Sequence, residues 1–225
     1  MRVVELNHEI HAETLAYPGG PEMDIRRIKT SDSEGWELTY LQISSHFGTH
    51  VDAPSHFRTG SGETLSDFRA ERLIGTGIVL HVPREPDEGV GEAELEAALI
   101  DAKRRGEAMP ENPIVLIHTG FMDRHGEDFE MFSQHHPYVT ADGAHWLVDQ
   151  GASICGIDAS GFERHGSAIP DETVAHNTLL GAGVMLIEEL VNLAAVDWPA
   201  PLVVVAPLPI KDGDGAPARV LALEV

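Results

Sequence analysis

The sequence predicts an α/β fold, and three observations lead there. Short aliphatic runs alternate with turns across 225 residues that include 22 Gly and 14 Pro. One run, Val115-Leu116-Ile117 within residues 113–118, is wholly apolar, as for a strand covered on both faces. Residues 91–105 instead place Leu95, Ala98, Leu99 and Ala102 at helical spacing, with charges on the opposite side. The length suits one substantial core, so residues 1–225 are expected to form a single domain.

In chain order, residues 3–10 alternate loosely as a first strand, and residues 14–23 carry the turn Tyr17-Pro18-Gly19-Gly20-Pro21. Residues 36–43 alternate apolar and polar as a second strand. After polar passages at 58–63 and 64–69, residues 74–82 are β-rich. Thr140 is placed to cap a helix through Ala144, Leu147 and Val148 that Gly151 closes. Residues 153–158 form the next strand, with Cys155 reading as a buried position. Residues 173–182 read as a short helix stopped by Gly183, and residues 184–187, 201–209 and 218–225 as strands.

Composition excludes several classes of function. With 15 basic against 37 acidic residues the net charge is −22, the opposite of a nucleic-acid or anionic-membrane footprint. No apolar run reaches the roughly 18 residues that span a bilayer. The N-terminal residues lack a secretory apolar core, so the cytoplasm is the expected compartment. The single cysteine leaves no internal disulfide, and without a G-x-S-x-G elbow a serine or cysteine hydrolase is disfavoured.

Chemistry concentrates in His46-Phe47-Gly48-Thr49-His50-Val51-Asp52-Ala53-Pro54-Ser55-His56-Phe57. Imidazole and carboxylate together hold divalent ions with open positions. On a helix His46 and His50 would share a face but Asp52 would not, and Gly48 and Pro54 oppose a helix. On a strand His50 and Asp52 point the same way, roughly 6.5 Å apart, while His46 would stand roughly 13 Å off. The backbone is therefore expected to bend at Gly48-Thr49, and Ala53-Pro54 to turn His56 back over the site.

This run resembles the H-x-G-T-H-x-D-x-P-x-H signature of the metal-dependent cyclase family, which includes kynurenine formamidase and isatin hydrolase. A second run, His176-Asn177-Thr178-Leu179-Leu180 through Glu188-Glu189-Leu190, is similar to that family's H-x-x-L-L and E-N-L stretch, with His and Glu twelve residues apart. By residue type either Glu188 or Glu189 would serve as a ligand; the resemblance selects Glu188 and implies a swivelling β/β/α fold with His46, His50, Asp52, His176 and Glu188 as metal ligands and Zn or Mn as the ion. It also implies a small-molecule substrate and a homo-oligomer, dimer or tetramer, whose neighbouring chains help line the site. An ion held there would activate water toward a small amide, aryl formamide or cyclic amide, with His56 delivering a proton to the leaving nitrogen. A cyclase or dehydratase reaction and a non-catalytic metal-binding module are the alternatives. His118-Thr119-Gly120-Phe121 resembles the family's R-T-G-W stretch, but with His where Arg is common. Asp158 is expected either to support the site or to form a turn. Phe47, Phe57, Tyr17 and Trp36 are the candidate aromatic walls for an aryl substrate.

Overall fold

The computed structural model describes residues 1–57, 59–169 and 172–225. Arg58, which opens one of the polar passages, lies outside them. Among the described residues twelve strands are formed: β1 (Val3–Glu5), β2 (Asp24–Lys29), β3 (Leu38–Gln42), β4 (His50–Asp52), β5 (Ile74–His81), β6 (Gly89–Val90), β7 (Ile114–His118), β8 (Tyr138–Val139), β9 (Ile154–Ile157), β10 (Met185–Glu188), β11 (Leu202–Pro207) and β12 (Gly215–Leu223). The helices are α1 (Ser31–Glu34), α2 (Glu92–Arg104), α3 (Phe121–His125), α4 (Phe129–Gln134), α5 (Ala141–Asp149) and α6 (Val174–Gly181).

The main sheet runs β1-β12-β11-β5-β7-β9-β10-β4, and β4 pairs again with β12. Seven strands therefore close on themselves like a barrel, with β1 appended to the outer edge of β12. Strands β5, β7, β9 and β10 are parallel neighbours joined through helices, whereas β4, β11 and β12 run antiparallel to theirs. The predicted α/β class and the swivelling β/β/α architecture are observed.

Two cores follow from the period-2 alternation of side chains. Val79, Ile114, Leu116, Ile154, Met185 and Ile187 meet Val203, Val205 and Val220 of the antiparallel strands inside the ring. Their neighbours Ile78, Leu80, Val115, Ile117, Cys155, Ile157 and Leu186 face outward, under Leu95, Leu99, Leu147, Leu179 and Leu180 of α2, α5 and α6. Both faces being covered is why β7 reads as an uninterrupted apolar run. The helix starts are fixed as expected: the Thr140 hydroxyl accepts from the amide of Gly143 at 3.4 Å.

Some boundaries differ from expectation. The first strand stops at Glu5 instead of extending to residue 10. The last strand begins at Gly215, three residues before expectation, because its first turn pairs with β4 rather than with β11. The strand expected at 36–43 forms as β3, outside the main sheet, in a two-stranded hairpin with β2.

Candidate metal centre

The local chain does what its residue types require. Gly48 adopts a left-handed backbone, φ +58°, at the predicted bend. β4 then presents His50 and Asp52 on one face and sends Val51 into the ring core. A 3₁₀ turn over Pro54–His56 folds His56 back until its ring lies 4.0 Å from that of His46.

Barrel closure supplies the rest of the cluster. Register pairs Glu188 of β10 directly with His50, so their side chains share a face. On the other edge Gly215 pairs with Asp52, and a Cβ there would sit 2.6 Å from Cε1 of His46 and 2.6 Å from the carbonyl oxygen of Val51. Only glycine lets β12 pass so close. Helix α6 packs against the same face and contributes His176, with Phe57 stacked on its imidazole at 4.5 Å.

Five side chains then converge. Nε2 of His50 lies 3.4 Å from Asp52 Oδ1 and 3.4 Å from Glu188 Oε2. Nε2 of His176 lies 3.4 Å from Asp52 Oδ2 and 3.4 Å from Glu188 Oε1. Nδ1 of His46 donates to Asp52 Oδ1 at 2.7 Å. Potential ligand atoms of His50, Asp52 and Glu188 fall within 4.8 Å of one another, as do those of His46, Asp52 and His56.

The outer nitrogens are committed elsewhere. Nδ1–H of His50 donates to the carbonyl of Gly48 at 2.8 Å, and Nδ1–H of His176 donates to Glu163 Oε1 at 3.1 Å. Both imidazoles therefore turn Nε2 toward the carboxylates, an arrangement common to metal-binding histidines. Asp52 is 1% exposed, and its Oδ2 is buried with no hydrogen-bond partner among the described residues.

Electrostatics describe a space suited to a cation. Burial alone would lower the basicity of His50 and His176, yet Asp52 and Glu188 outweigh it and hold both imidazoles well above the ordinary histidine range. Burial would raise the two carboxylates, but the surrounding imidazoles drive Asp52 well below its usual value and Glu188 down to about 2. Without an ion, extra protons must neutralise these buried charges; a divalent ion provides the same neutralisation. The orphaned Asp52 oxygen, the inward Nε2 atoms and the N/O donor set all fit one.

Above the cluster lies a cavity of about 400 Å³. Its walls include Tyr17, Met23, Phe47, Phe57 and Ile169, with Arg164 at the rim. Tyr17 reaches across to Nδ1 of His165 at 3.3 Å, so the N-terminal loop and the loop before α6 meet over the opening. Trp36 does not belong to these walls: it is 51% exposed on the β2–β3 turn. Asp158 braces the loop after β7, accepting from the amides of Thr119 at 2.6 Å and Gly120 at 2.8 Å, rather than closing a turn of its own segment.

Two carboxylates escaped the sequence reading. Asp214 accepts from Nε2 of His46 at 3.0 Å and stands 3.5 Å from Nδ1 of His56. Its only signal is an acidic turn just before a strand. Glu163 orients His176 from thirteen residues upstream, through a loop with no periodicity to betray it. Glu189, the alternative to Glu188 by residue type, is buried and left-handed, φ +59°, with burial lifting its carboxyl to about 8, and it is Glu188 whose oxygen groups with His50 and Asp52.

Fold and site define an α/β barrel with a His/carboxylate centre beneath an apolar cleft. The chain belongs to the Cyclase family, whose model, described as "Putative cyclase", matches residues 4–164. It is 28% identical over 217 residues to a kynurenine formamidase of Bacillus cereus, covering 96% of this chain and 94% of that protein. A kynurenine formamidase of Salinibacter ruber is 26% identical over 228 residues, covering 97% and 96%. Among solved structures, isatin hydrolase A from Ralstonia solanacearum superposes with a TM-score of 0.84 at 25% identity, over 98% of this chain and 91% of that one. Isatin hydrolase A from Labrenzia aggregata, bound to benzyl benzoate, gives 0.83 at 27% identity, over 98% and 93%.

Proposed function

We propose that this protein is a metal-dependent amidohydrolase that cleaves the C–N bond of a small aryl formamide or cyclic amide. The observation that carries this reading is the buried Asp52, its Oδ2 without a hydrogen-bond partner among the described residues, between the inward-facing Nε2 atoms of His50 and His176 and beside Glu188. The formamidase and isatin hydrolase relatives support it. His46, His50, Asp52, His176 and Glu188 would hold a divalent ion, Zn or Mn by residue type. When bound, such an ion polarises a carbonyl and lowers the pKa of water to about 7.

The chain's own residues do the remainder. His56, with Nδ1 facing Asp214, moves a proton at Nε2 to the leaving nitrogen. Phe47, Phe57 and Tyr17 exclude water and stack an aryl group. Arg164, at the rim and without an ion pair among the described residues, favours substrates that carry a carboxylate. A second reading makes His56 a ligand, because one of its nitrogens groups with a nitrogen of His46 and a carboxylate oxygen of Asp52.

No helix among the described residues is long and apolar enough to cross a membrane. A homo-oligomer is part of the proposal. The β2–β3 hairpin supports it: Ile28, Trp36, Leu38 and Leu41 are exposed on a two-stranded sheet, which gains stability by packing against another surface.

The test is to strip the protein with a chelator, reload it with Zn²⁺ or Mn²⁺, and assay formylated arylamines, isatin-like lactams and hydroxy-acids. Metal-dependent hydrolysis of a C–N bond is expected. Turnover confined to hydroxy-acid dehydration would overturn the assignment, as would undiminished activity of the stripped protein.

A further inference from the structure

A second pair of imidazoles meets away from the cleft. His81 ends β5, His118 ends β7, and the two are register partners across parallel strands. Their side chains therefore leave the same face of the sheet. Their Nδ1 atoms lie 2.9 Å apart, with ring centroids 5.1 Å apart and planes at 80°. Neither residue lines the cleft above the His46–Glu188 cluster.

The surroundings orient this pair. Nε2–H of His118 donates to Asp123 Oδ2 at 3.2 Å, and Asp158 Oδ2 stands 3.9 Å away. That bond keeps the His118 proton on Nε2 and turns the Nδ1 lone pair toward His81, as carboxylates do behind metal-bound histidines. At this distance the two nitrogens share one proton, His81 Nδ1–H donating to the His118 lone pair, and a divalent cation reached by both nitrogens would replace that proton. With metal–nitrogen bonds of about 2.0–2.1 Å, two ligands at a right angle stand about 2.9 Å apart, and two at a tetrahedral angle about 3.4 Å. The observed spacing sits at the first value. Imidazole nitrogens without thiolate suit Cu²⁺, Ni²⁺ and Zn²⁺. The net charge of −22 favours cation approach, while Arg105 and Arg124 nearby oppose it.

We propose that His81 and His118 form a second divalent transition-metal site, independent of the cleft, which clamps the ends of β5 and β7 with two nitrogens and leaves the other positions to water. Ion binding at this clamp ties together two strands that carry much of both cores.

Protein already loaded at its cleft and freed of excess metal would be titrated with Ni²⁺ by calorimetry, with bound metal counted after equilibrium dialysis. The wild type is expected to take up one equivalent more than His81→Gln and one more than His118→Gln. In both variants Ni²⁺ affinity at that equivalent should fall at least tenfold, while the cleft metal content stays constant. Circular dichroism would confirm that each variant is folded, and because His118 also bonds Asp123, His81→Gln is the safer of the two. Equal Ni²⁺ uptake by all three proteins would overturn the proposal, showing that the nitrogens share only a proton. An extra equivalent that survives both substitutions would overturn it equally, by placing that ion elsewhere.

Discussion

Replacing Glu163 by Ala separates metal holding from helix capping. Glu163 Oε1 accepts two hydrogen bonds from one residue: 3.1 Å from Nδ1 of His176 and 2.7 Å from its backbone amide, in the first turn of α6. Losing an acceptor to a charged group costs about 1.5–3 kcal/mol when the donor stays dry. Glu163 is 15% exposed, so water partly replaces it, and the expected stability loss is about 1.5–3 kcal/mol for both bonds together. The effect on the ion is separate. Without Glu163 the His176 imidazole can rotate or change tautomer, and losing such a partner weakens metal binding about 10–100-fold, or about 1.4–2.8 kcal/mol. Zn²⁺ affinity would be measured by competition with a chromophoric chelator, and stability by urea unfolding of the metal-free protein. Glu163→Gln, which keeps an acceptor oxygen, should recover part of the affinity. If Glu163→Ala lost stability as expected but bound Zn²⁺ within twofold of the wild type, Glu163 would be a helix cap alone and His176 would not be a ligand.

Further outcomes follow from the same geometry. His56→Gln should abolish turnover while metal content stays unchanged; loss of metal in that variant would favour the reading in which His56 is a ligand. Gly215→Ala forces a Cβ to within 2.6 Å of both the Val51 carbonyl and His46, so unfolding experiments should show a loss of about 1–3 kcal/mol together with weaker metal retention. His8 is half-buried, and this partial burial, with His11 nearby, holds its folded-state pKa below 6.5. The unfolded chain therefore binds more protons below pH 6.5, and stability falls as pH falls, by at most about 1.4 kcal/mol per pH unit. Unfolding free energies measured between pH 7.5 and 5.5 should decline less steeply in His8→Gln; parallel curves would contradict this.

How far the sequence could be read depends on the distance along the chain over which each feature is encoded. The bend at Gly48, the shared face of His50 and Asp52, and the return of His56 are all set within a dozen residues, so spacing and backbone preference suffice. The buried strand β7 and the amphipathic α2 were legible because their periods report their cover directly. Asp214 and Glu163 were not legible, because each reaches its histidine only after β12 closes on β4 or the loop before α6 folds over the cleft. β2 was missed because Asp24-Ile25-Arg26-Arg27-Ile28-Lys29 is largely polar and pairs only with β3, outside both cores. The assignment of Trp36 to the pocket failed for a related reason: aromatic type predicts burial, but the hairpin tip carries this one outward.

The central claim is that one cluster, centred on Asp52, holds a catalytic divalent ion. Anomalous scattering recorded at the absorption edge of the metal in crystals of active, metal-loaded protein tests it most directly. Density among His46, His50, Asp52, His176 and Glu188, vanishing together with amidase activity on chelation, is the expected result. Active crystals with no anomalous density at that cluster, or with density only between His81 and His118, would contradict the account.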